Sequence, residues 1–462
     1  MGLWWFGAAL GASGCGTPPA ADCQGSPACL TLALSAAWVA ADPAAPVVLD
    51  DLELIVRVGQ GSRRVRFDDR IVQAPGELPL ALPELATDPQ QRVAVYLRAR
   101  LGASGQAVGA MLLRAAAEPL ASRYPLALSP ACVAAPCAVP EPRRGATLAL
   151  EPRSRHLVLF GGRRQDGTAL ADTWEWDGLG WQSVAAASAP PARAGHTVAL
   201  DGRRGTLLLF GGAGGAEGSP QTFADTWEYL GAAAGWSRIA TSGPPARSQA
   251  AMATAAVTAA AADPAGLLLH GGQDGSGNTL GDTWLWDGQS WSAPPLMSDP
   301  CPAVPPSMAT LPRCRRQAAL IPAPGSHALL LGGRLGPASA GAPELDDEVW
   351  QWDGARWSPA PVYRPPTVLG RYGHFAGRAP GNAALVAFGD SPGGLRQDSF
   401  LLDLGSGQFA PQLGPAPPPR AEAAVAYDEE RDEVLLFGGR GDTAPLGDTW
   451  SFTPAAGWRP QK

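Results

Sequence analysis

Residues 207–212 read Leu-Leu-Leu-Phe-Gly-Gly, an apolar run closed by two glycines. A strand with one wet face alternates apolar and polar residues. This run does not alternate, so it reads as a strand buried on both faces. The glycine pair permits positive φ and close backbone approach where the chain leaves the strand. The run returns as LVLFGG (157–162), LLLHGG (267–272), LLLGG (329–333) and VLLFGG (434–439). A sixth copy, VAFGD (386–390), carries Asp390 in place of the second glycine. The first glycines stand at 161, 211, 271, 332, 389 and 438, at intervals of 49 to 61 residues.

Downstream of each run lies an acidic-to-aromatic signature: Asp172-Thr173-Trp174, Asp225-Thr226-Trp227, Asp282-Thr283-Trp284, Glu348-Val349-Trp350, Asp398-Ser399-Phe400 and Asp448-Thr449-Trp450. A further aromatic follows seven to nine residues on, at Trp181, Trp236, Trp291, Trp357, Phe409 and Trp458. Trp174 and Trp176 are two apart and share one face of a strand. Asp177-Gly178, Asp287-Gly288 and Asp353-Gly354 carry a tight-hairpin signal between the aromatics. Before the glycine runs lie stretches of small residues, such as Ala194–Ala199, Ala250–Ala256 and Ala421–Ala426. Narrow side chains suit innermost strands that converge on an axis. The predicted order is inner strand, glycine-ended strand, Asp-x-Trp strand, outer strand, repeated six times from Arg143 to Trp458.

These residues resemble the kelch motif, whose repeat of about 50 residues builds one four-stranded propeller blade. The resemblance covers residues 143–462. It implies an all-β chain with a six-bladed kelch-type β-propeller, closed without strand exchange across the seam because no half blade is left over.

Residues 30–128 lack the repeat. Arg92–Leu101 alternates Val93, Val95, Leu97 and Ala99 with Arg92, Tyr96, Arg98 and Arg100, the pattern of a half-buried strand. Arg63–Phe67, Val47–Val58 and Val108–Arg114 are further strand candidates, and together they predict a small β-sandwich ahead of the propeller. Residues 15–29 read as a flexible tether, and 129–142, with Cys132, Cys137 and several prolines, as a stiff linker.

Residues 1–14 (MGLWWFGAALGASG) form a short apolar stretch of signal-peptide type. Ala12-Ser13-Gly14-Cys15 resembles a bacterial lipobox, which implies a lipid on Cys15; an ordinary export signal with unmodified Cys15 is the alternative. Seven cysteines leave six without Cys15, in close couples: Cys23 with Cys29, Cys132 with Cys137, Cys301 with Cys314. In an exported chain these read as disulfides, with Cys29–Cys132 a rival pairing that ties together the ends of the first domain. The expected location is the bacterial cell envelope, lipid-anchored at the outer membrane or periplasmic face, or else secreted.

The chain has 462 residues, 35 Lys and Arg against 42 Asp and Glu, a formal charge of −7, and lysine only at Lys462. Net acidity without a basic run argues against nucleic-acid binding. Fifty-seven glycines and 47 prolines imply many turns, and 16 tryptophans supply a large core.

Several residues invite chemistry. The repeated aspartates resemble ordered carboxylates, but repetition in blade after blade marks a turn or hydrogen-bonding device. Arg143, Arg193, Arg371 and Arg420 each stand 18 residues before the first glycine of their run, and Arg247 and Arg315 occupy the matching place. A convergent ring of guanidinium groups would make one channel mouth positive and suit a carboxylate or phosphate. On that reading, alanine at Arg193 and Arg371 abolishes anion binding and spares the fold. The competing reading has each arginine bonding loop carbonyls or Asp side chains within the blades. His196 and His374 share one inner-strand slot and join the candidate ligand-binding set.

No catalytic residue, metal site or cofactor is expected. Galactose-oxidase-like copper centres need two His, two Tyr and a cross-linked Cys, and the only propeller cysteines are Cys301 and Cys314. The sialidase Asp box is missing, as are a nucleophile elbow, P-loop and HExxH motif. Arg440-Gly441-Asp442 and Asp274–Asn278 match an RGD tripeptide and part of a calcium loop only in isolation. The expected function is therefore a non-catalytic binding platform for an unknown protein or an anionic or glycan ligand, held at the membrane by its anchor. The alternatives are a carbohydrate-active enzyme resembling sialic-acid mutarotases, with Arg193 or Arg371 acting beside Glu422, or a glycan-binding protein using Tyr363 and Tyr372.

Overall fold

A computed structural model describes residues 138–461 except 217–219, 240–241, 258–265, 295–310, 337–343, 346 and 361–369, together with nine strands between residues 29 and 130. The chain divides into two compact units, Met1–Cys137 and Ala138–Lys462. The signal peptide, Cys15, Cys23, Cys132, Cys137 and Cys301 lie outside the described residues, as does the side chain of Cys29.

In the first unit, Cys29–Leu34 lies between Gly76–Ala81, antiparallel, and Tyr124–Ala127, parallel. A second sheet runs Gly61–Phe67, Val47–Val58, Val93–Leu101, Gln106–Arg114 and Ser129–Pro130, with Arg70–Val72 also on Val47–Val58. The last of these strands takes up the first two residues of the stretch read as linker. Ile55 is buried.

The second unit contains, among the described residues, six antiparallel four-stranded sheets, each built from consecutive strands. Their innermost strands are Thr147–Leu150, Thr197–Asp201, Ala251–Ala255, Ala319–Ala323, Phe375–Ala379 and Ala424–Asp428. Each touches the next, and the sixth touches the first. The strand order within a sheet is the one read from the repeat. The inner strands begin one to three residues later than the small-residue stretches, because the residues ahead of them form a collar described below. The glycine-ended strands Leu157–Phe160, Thr206–Phe210 and His327–Leu331 are buried almost throughout, as a blade with a neighbour on both faces requires.

Outer-strand indoles fasten the sheets to one another. Trp236 Nε1 donates to Thr173 Oγ1 at 3.1 Å, Trp291 to Thr226 at 3.1 Å, Trp357 to Thr283 at 3.0 Å, and Trp458 to Ser399 Oγ at 3.2 Å. Trp181 donates to Thr449 at 3.0 Å across 268 residues and so joins the first sheet to the sixth. The one remaining pair replaces both partners together. The fifth sheet carries Phe409, which has no N–H, and the fourth carries Val349, which has no hydroxyl; the two share one buried cluster. Removing both polar groups avoids a buried donor or acceptor without a partner.

The fifth sheet corrects the reading of its glycine pair. Phe388 has φ +63° and Gly389 φ +95°, the values taken elsewhere by the first and second glycines, such as +63° and +104° at Gly161 and Gly162. Arg371 Nη1 donates to the carbonyl of Phe388, as the other arginines donate to their first glycine. The pair is therefore Phe388-Gly389, and Asp390 is the residue after it.

The Trp291→Phe and Thr226→Val substitutions each leave one buried polar group without its partner and are expected to cost about 1–3 kcal/mol in urea unfolding. The double variant recreates the Val349–Phe409 pairing and should cost less than the sum by about 1 kcal/mol. Strict additivity would show that the hydrogen bond does not couple the sites.

Candidate functional site

The six repeated arginines are among the most deeply buried side chains of the second unit, each 0–1% exposed. Arg193 shows the arrangement. Its Nη1 donates to Asp225 Oδ1 at 2.6 Å and to the Gly211 carbonyl at 2.9 Å, Nη2 to Asp225 Oδ2 at 2.8 Å, and Nε to the Pro191 carbonyl at 2.9 Å. Arg143–Asp172, Arg247–Asp282 and Arg420–Asp448 repeat it at 2.6–2.8 Å. Arg371 grips Asp398 at 3.0 and 3.2 Å. In the fourth blade, where Glu348 replaces the aspartate, Arg315 keeps the bonds to the Arg313 and Gly332 carbonyls.

The backbone of each arginine belongs to the preceding blade. The Arg193 N–H donates to Leu170 and its carbonyl accepts from Gly162, both in the first blade, while its side chain binds the second. The Arg143 carbonyl likewise accepts from Gly439 and closes the sixth blade onto the first. The first glycine lies against this junction. A Cβ on Gly161 would sit 2.6 Å from the Arg193 carbonyl oxygen.

The arginines are thus interblade ties, not a channel-mouth ring. Their donors are directed at Asp and carbonyl groups, which gives the competing reading and removes the basis for Arg193 or Arg371 acting beside Glu422. The aspartates also accept from the indoles two residues on, as Trp174 Nε1 to Asp172 at 2.7 Å and Trp450 to Asp448 at 2.6 Å. In the fifth blade Phe400 has no N–H, and Arg396 Nη2 fills that place on Asp398 at 2.6 Å. Burial alone would raise the carboxyls of Asp172, Asp225, Asp282 and Asp448. Hydrogen bonds and charge from the arginines, with the indole bond, outweigh it and hold them below the usual range.

What does surround the axis is the residue two places after each arginine: Gly145, Gly195, Gln249, Gln317, Gly373 and Glu422. All six have φ between +54° and +64°. Their backbones form a closed hydrogen-bonded ring. Gly195 N–H donates to Gly145, Gln249 to Gly195, Gln317 to Gln249, Gly373 to Gln317, Glu422 to Gly373 and Gly145 to Glu422, at 2.6–3.0 Å. Within this collar opens a cavity of about 400 Å³.

A rim of paired residues flanks the collar: Arg144 with Arg163, Ala194 with Ala213, Ser248 with Gln273, Arg316 with Arg334, Tyr372 with Asp390, and Ala421 with Arg440. The charge is one-sided. Blades four to six and one supply five arginines with Asp390 and Glu422, whereas blades two and three supply only small or neutral residues. Tyr372 OH donates to Asp390 Oδ2 at 2.8 Å, and Arg440 Nη2 donates to the same oxygen at 2.5 Å. The rim arginines are residues next to the expected ones; Arg163 and Arg316 among them are buried and donate to the Ala213 and Gly215 carbonyls and to Thr279 and the Gly336 carbonyl. The alternation of charged and neutral pairs around the rim is not periodic, so repeat analysis passes over it.

His196 and His374 lie beneath the collar and line the cavity. His196 Nε2 meets Thr147 Oγ1 at 2.8 Å. Neither ring nitrogen of His374 has a hydrogen-bond partner among the described residues. Burial, then the charge of Arg193 or Arg371, pushes both imidazoles down to about 3. His270 is pushed down to about 3 by burial and by Arg315. These are neutral packing groups at ordinary pH. No group of three or more potential metal ligands occurs among the described residues.

The Asp274 carboxylate is occupied by the amides of Ser276 and Asn278 and the Asn278 side chain, which makes this stretch a turn. Arg440 of the RGD tripeptide is tied to Asp390. Cys314 is buried, and Tyr363 lies outside the described residues.

Residues 132–311 match the KLHDC2/KLHL20/DRC7 Kelch-repeats domain family, a span that takes in the first three blades. No curated protein matches the chain. The matched stretch is thus similar to kelch repeats, which serve in general for protein interaction, and the sheets described above make the second unit an all-β propeller.

Removing one partner of a buried pair strands the other charge. Arg193→Ala or Asp225→Asn should therefore lower stability by about 3–5 kcal/mol in urea unfolding, the opposite of a fold-neutral loss of binding. A loss below about 1 kcal/mol would contradict the interblade role. Acid should act through the histidines first. Their folded value of about 3 lies below the unfolded value of about 6.5, so the unfolded chain takes the protons first. Their contribution is complete above about pH 6.5 and is lost as pH falls towards 3, each by about 1.4 kcal/mol per pH unit. The depressed aspartates extend the loss below about pH 4. The urea midpoint should thus fall from about pH 6 downward, and His374→Phe should flatten the slope by one proton's worth. A profile flat from pH 7 to 4 would refute this.

Proposed function

We propose that this chain is a non-catalytic binding platform, exported and tethered through a lipid on Cys15 to the bacterial cell envelope, which grips a protein or anionic partner over the mouth of its propeller. The observation that carries the reading is the one-sided rim. Arg144, Arg334 and Arg440 gather on one side of the axis, in reach of a partner that spans several blades, and Ala194, Ala213 and Ser248 leave a small-residue shelf on the other. A surface of this kind orients an acidic partner as well as attracting it. The repeated aspartates and arginines are engaged in holding the blades, which supports a scaffold over a repeated catalytic device.

Export and anchoring rest on the apolar 1–14 segment, the lipobox-like Ala12–Cys15, and the even set of cysteines left once Cys15 is set aside. The same reading makes residues 15–29 a tether, 30–128 a β-sandwich, and 129–142 a linker. It pairs Cys23 with Cys29, Cys132 with Cys137, and Cys301 with Cys314.

Two measurements test the proposal. Mass spectrometry of the mature chain should find a diacylglyceryl group on Cys15 as the first residue; an unmodified Cys15 within a longer mature chain would remove the anchor. The Arg334→Ala/Arg440→Ala variant should still unfold cooperatively in urea, at a midpoint lowered by the loss of the Arg440–Asp390 pair, and lose capture of the partner that wild-type protein brings down from envelope extract. Undiminished capture would move the binding face elsewhere.

A further inference from the structure

The residue five places after each blade arginine faces two ways at once. Leu148, Val198, Met252, Leu320, Ala376 and Val425 all line the axial cavity, and all belong to the apolar clusters between blades or pack against them. Side chains turned into those clusters cannot also face the axis, so what these residues show the cavity is main chain. The inner strand ends its sheet in every blade, and the free side of an end strand carries unpaired N–H and C=O groups. In an antiparallel ladder alternate residues direct both groups to that side. Thr254 Oγ1 donates to the Leu200 carbonyl at 2.6 Å from the neighbouring blade. Leu200, and with it Val198 two places before, therefore faces away from Thr206–Phe210. The register is common to the ring. Val198 pairs with Leu209, two places before the first residue of its glycine pair, and the other five pair with Leu159, Leu269, Leu330, Val386 and Leu436 in the matching place.

Six strand edges thus set a belt of donors and acceptors round the cavity, without formal charge. Backbone groups held away from bulk water need a partner. At the collar, Glu422 Oε1 accepts from Gln317 Nε2 at 2.8 Å. Its Oε2 accepts no hydrogen bond among the described residues; Arg144 Nη1 stands off at 3.7 Å, and the Glu422 side chain keeps 18% of its surface exposed. A volume of about 400 Å³ falls at the small end of ligand sites, which run from roughly 300 to 1,000 Å³.

We propose that this cavity binds a neutral monosaccharide, a hexopyranose. A hydroxyl group both donates and accepts, so one kind of group answers the N–H and the C=O of the strand edges. A pyranose carries hydroxyls around its perimeter, as the six edges are carried around the axis, and one of them donates to Glu422 Oε2. An apolar ligand would leave the edge groups without partners. A carboxylate would use only the N–H half of the belt and would meet Glu422, and an ammonium group would use only the C=O half. The sugar sits inside the ring, beneath any partner at the rim, so the inference goes beyond the platform reading and does not depend on it.

Calorimetric titration and thermal melting of the full chain with D-glucose, D-galactose and D-mannose test it. At least one should give saturable heat and a matching rise in melting temperature. (Tetrahydropyran-2-yl)methanol keeps the ring with a single hydroxyl and should bind at least about tenfold more weakly. Glycine closes the collar at Gly145, Gly195 and Gly373 in the conformation that Glu422 adopts. Glu422→Gly therefore keeps the backbone ring and should weaken the sugar about tenfold or more, a hydrogen bond to a charged group being worth that much. Glu422→Gln removes the charge alone, should also weaken the sugar, and serves if the glycine variant unfolds. No saturable heat with any of the three sugars up to about 50 mM would overturn the proposal, as would equal binding by a folded variant or by the single-hydroxyl ring. A melting shift that rises linearly with sugar and is the same in Glu422→Gly is the general exclusion of sugars from protein surfaces and overturns it as well. Partner capture by wild-type protein distinguishes the failures: capture without sugar binding sinks this inference alone, and sugar binding without capture sinks only the platform reading.

Discussion

Each blade of this propeller depends on a guanidinium group that has been taken out of water. Burying a charge is costly unless geometry and hydrogen bonds offset the loss of hydration. Arg193 meets that condition with a bidentate aspartate, the Gly211 and Pro191 carbonyls, and the Phe223 ring, whose centroid lies 4.1 Å from its central carbon. Because its main chain is bonded to one blade and its side chain to the next, the contact is made only when two blades are correctly placed. The cost of isolating the charge thereby becomes a penalty on misassembled rings. A lysine could not serve, since one ammonium cannot hold two carboxylate oxygens and two divergent carbonyls in a plane.

The same logic governs the exceptions. Where Trp becomes Phe409, the opposing Thr becomes Val349. Where Trp becomes Phe400, Arg396 takes the vacated place on Asp398. Where glycine becomes Phe388, its ring packs with Trp458 at 5.2 Å between centroids. In the first two cases the polar accounts of a buried site are restored by a second change within the same pair of blades, and in the third the aromatic contact on the outer indole is kept, as Phe160 keeps it on Trp236. Degeneracy in the repeat is therefore local and compensated, and the fifth blade keeps the geometry of the others while sharing few of their side chains.

The blades were legible in the sequence because burial on two faces, a glycine exit and an indole recur in step. The arginines were equally legible as a set, and their bidentate character was read correctly. Loop carbonyls and Asp side chains were one of the two readings of their partners; which aspartate pairs with which arginine was not read, because the aspartates lie 27 to 35 residues downstream and only the fold brings them near. A signal was present: an acid and a base each repeated once per blade are natural partners for one another. Spacing misled at the fifth blade, where Gly389 stands 18 residues after Arg371 and so imitates a first glycine. Only φ shows that Phe388 holds that place. The collar left no sequence trace, since Gly, Gln and Glu share no chemistry and their common property is a backbone angle.

Repetition and its absence therefore separate two kinds of residue around one axis. Whatever recurs in step, from the arginines to the outer indoles, is consumed in making and closing the ring. The side chains at the mouth do not recur: two glutamines, a glutamate, and charged pairs confined to one side. A ring with near six-fold backbone geometry here places a carboxylate in one blade, amides in two others and glycine in the remaining three. Glu422 has neighbours on both sides of its place in the collar: its Cγ lies 3.4 Å from where a Cβ on Gly373 would stand, and its carboxylate accepts from the Gln317 amide at 2.8 Å. The asymmetry of the mouth is thus in part a packing arrangement between blades, in which Gln249 lies over Gly195 and Glu422 over Gly145 and Gly373, so that side chain and glycine alternate where two side chains would crowd.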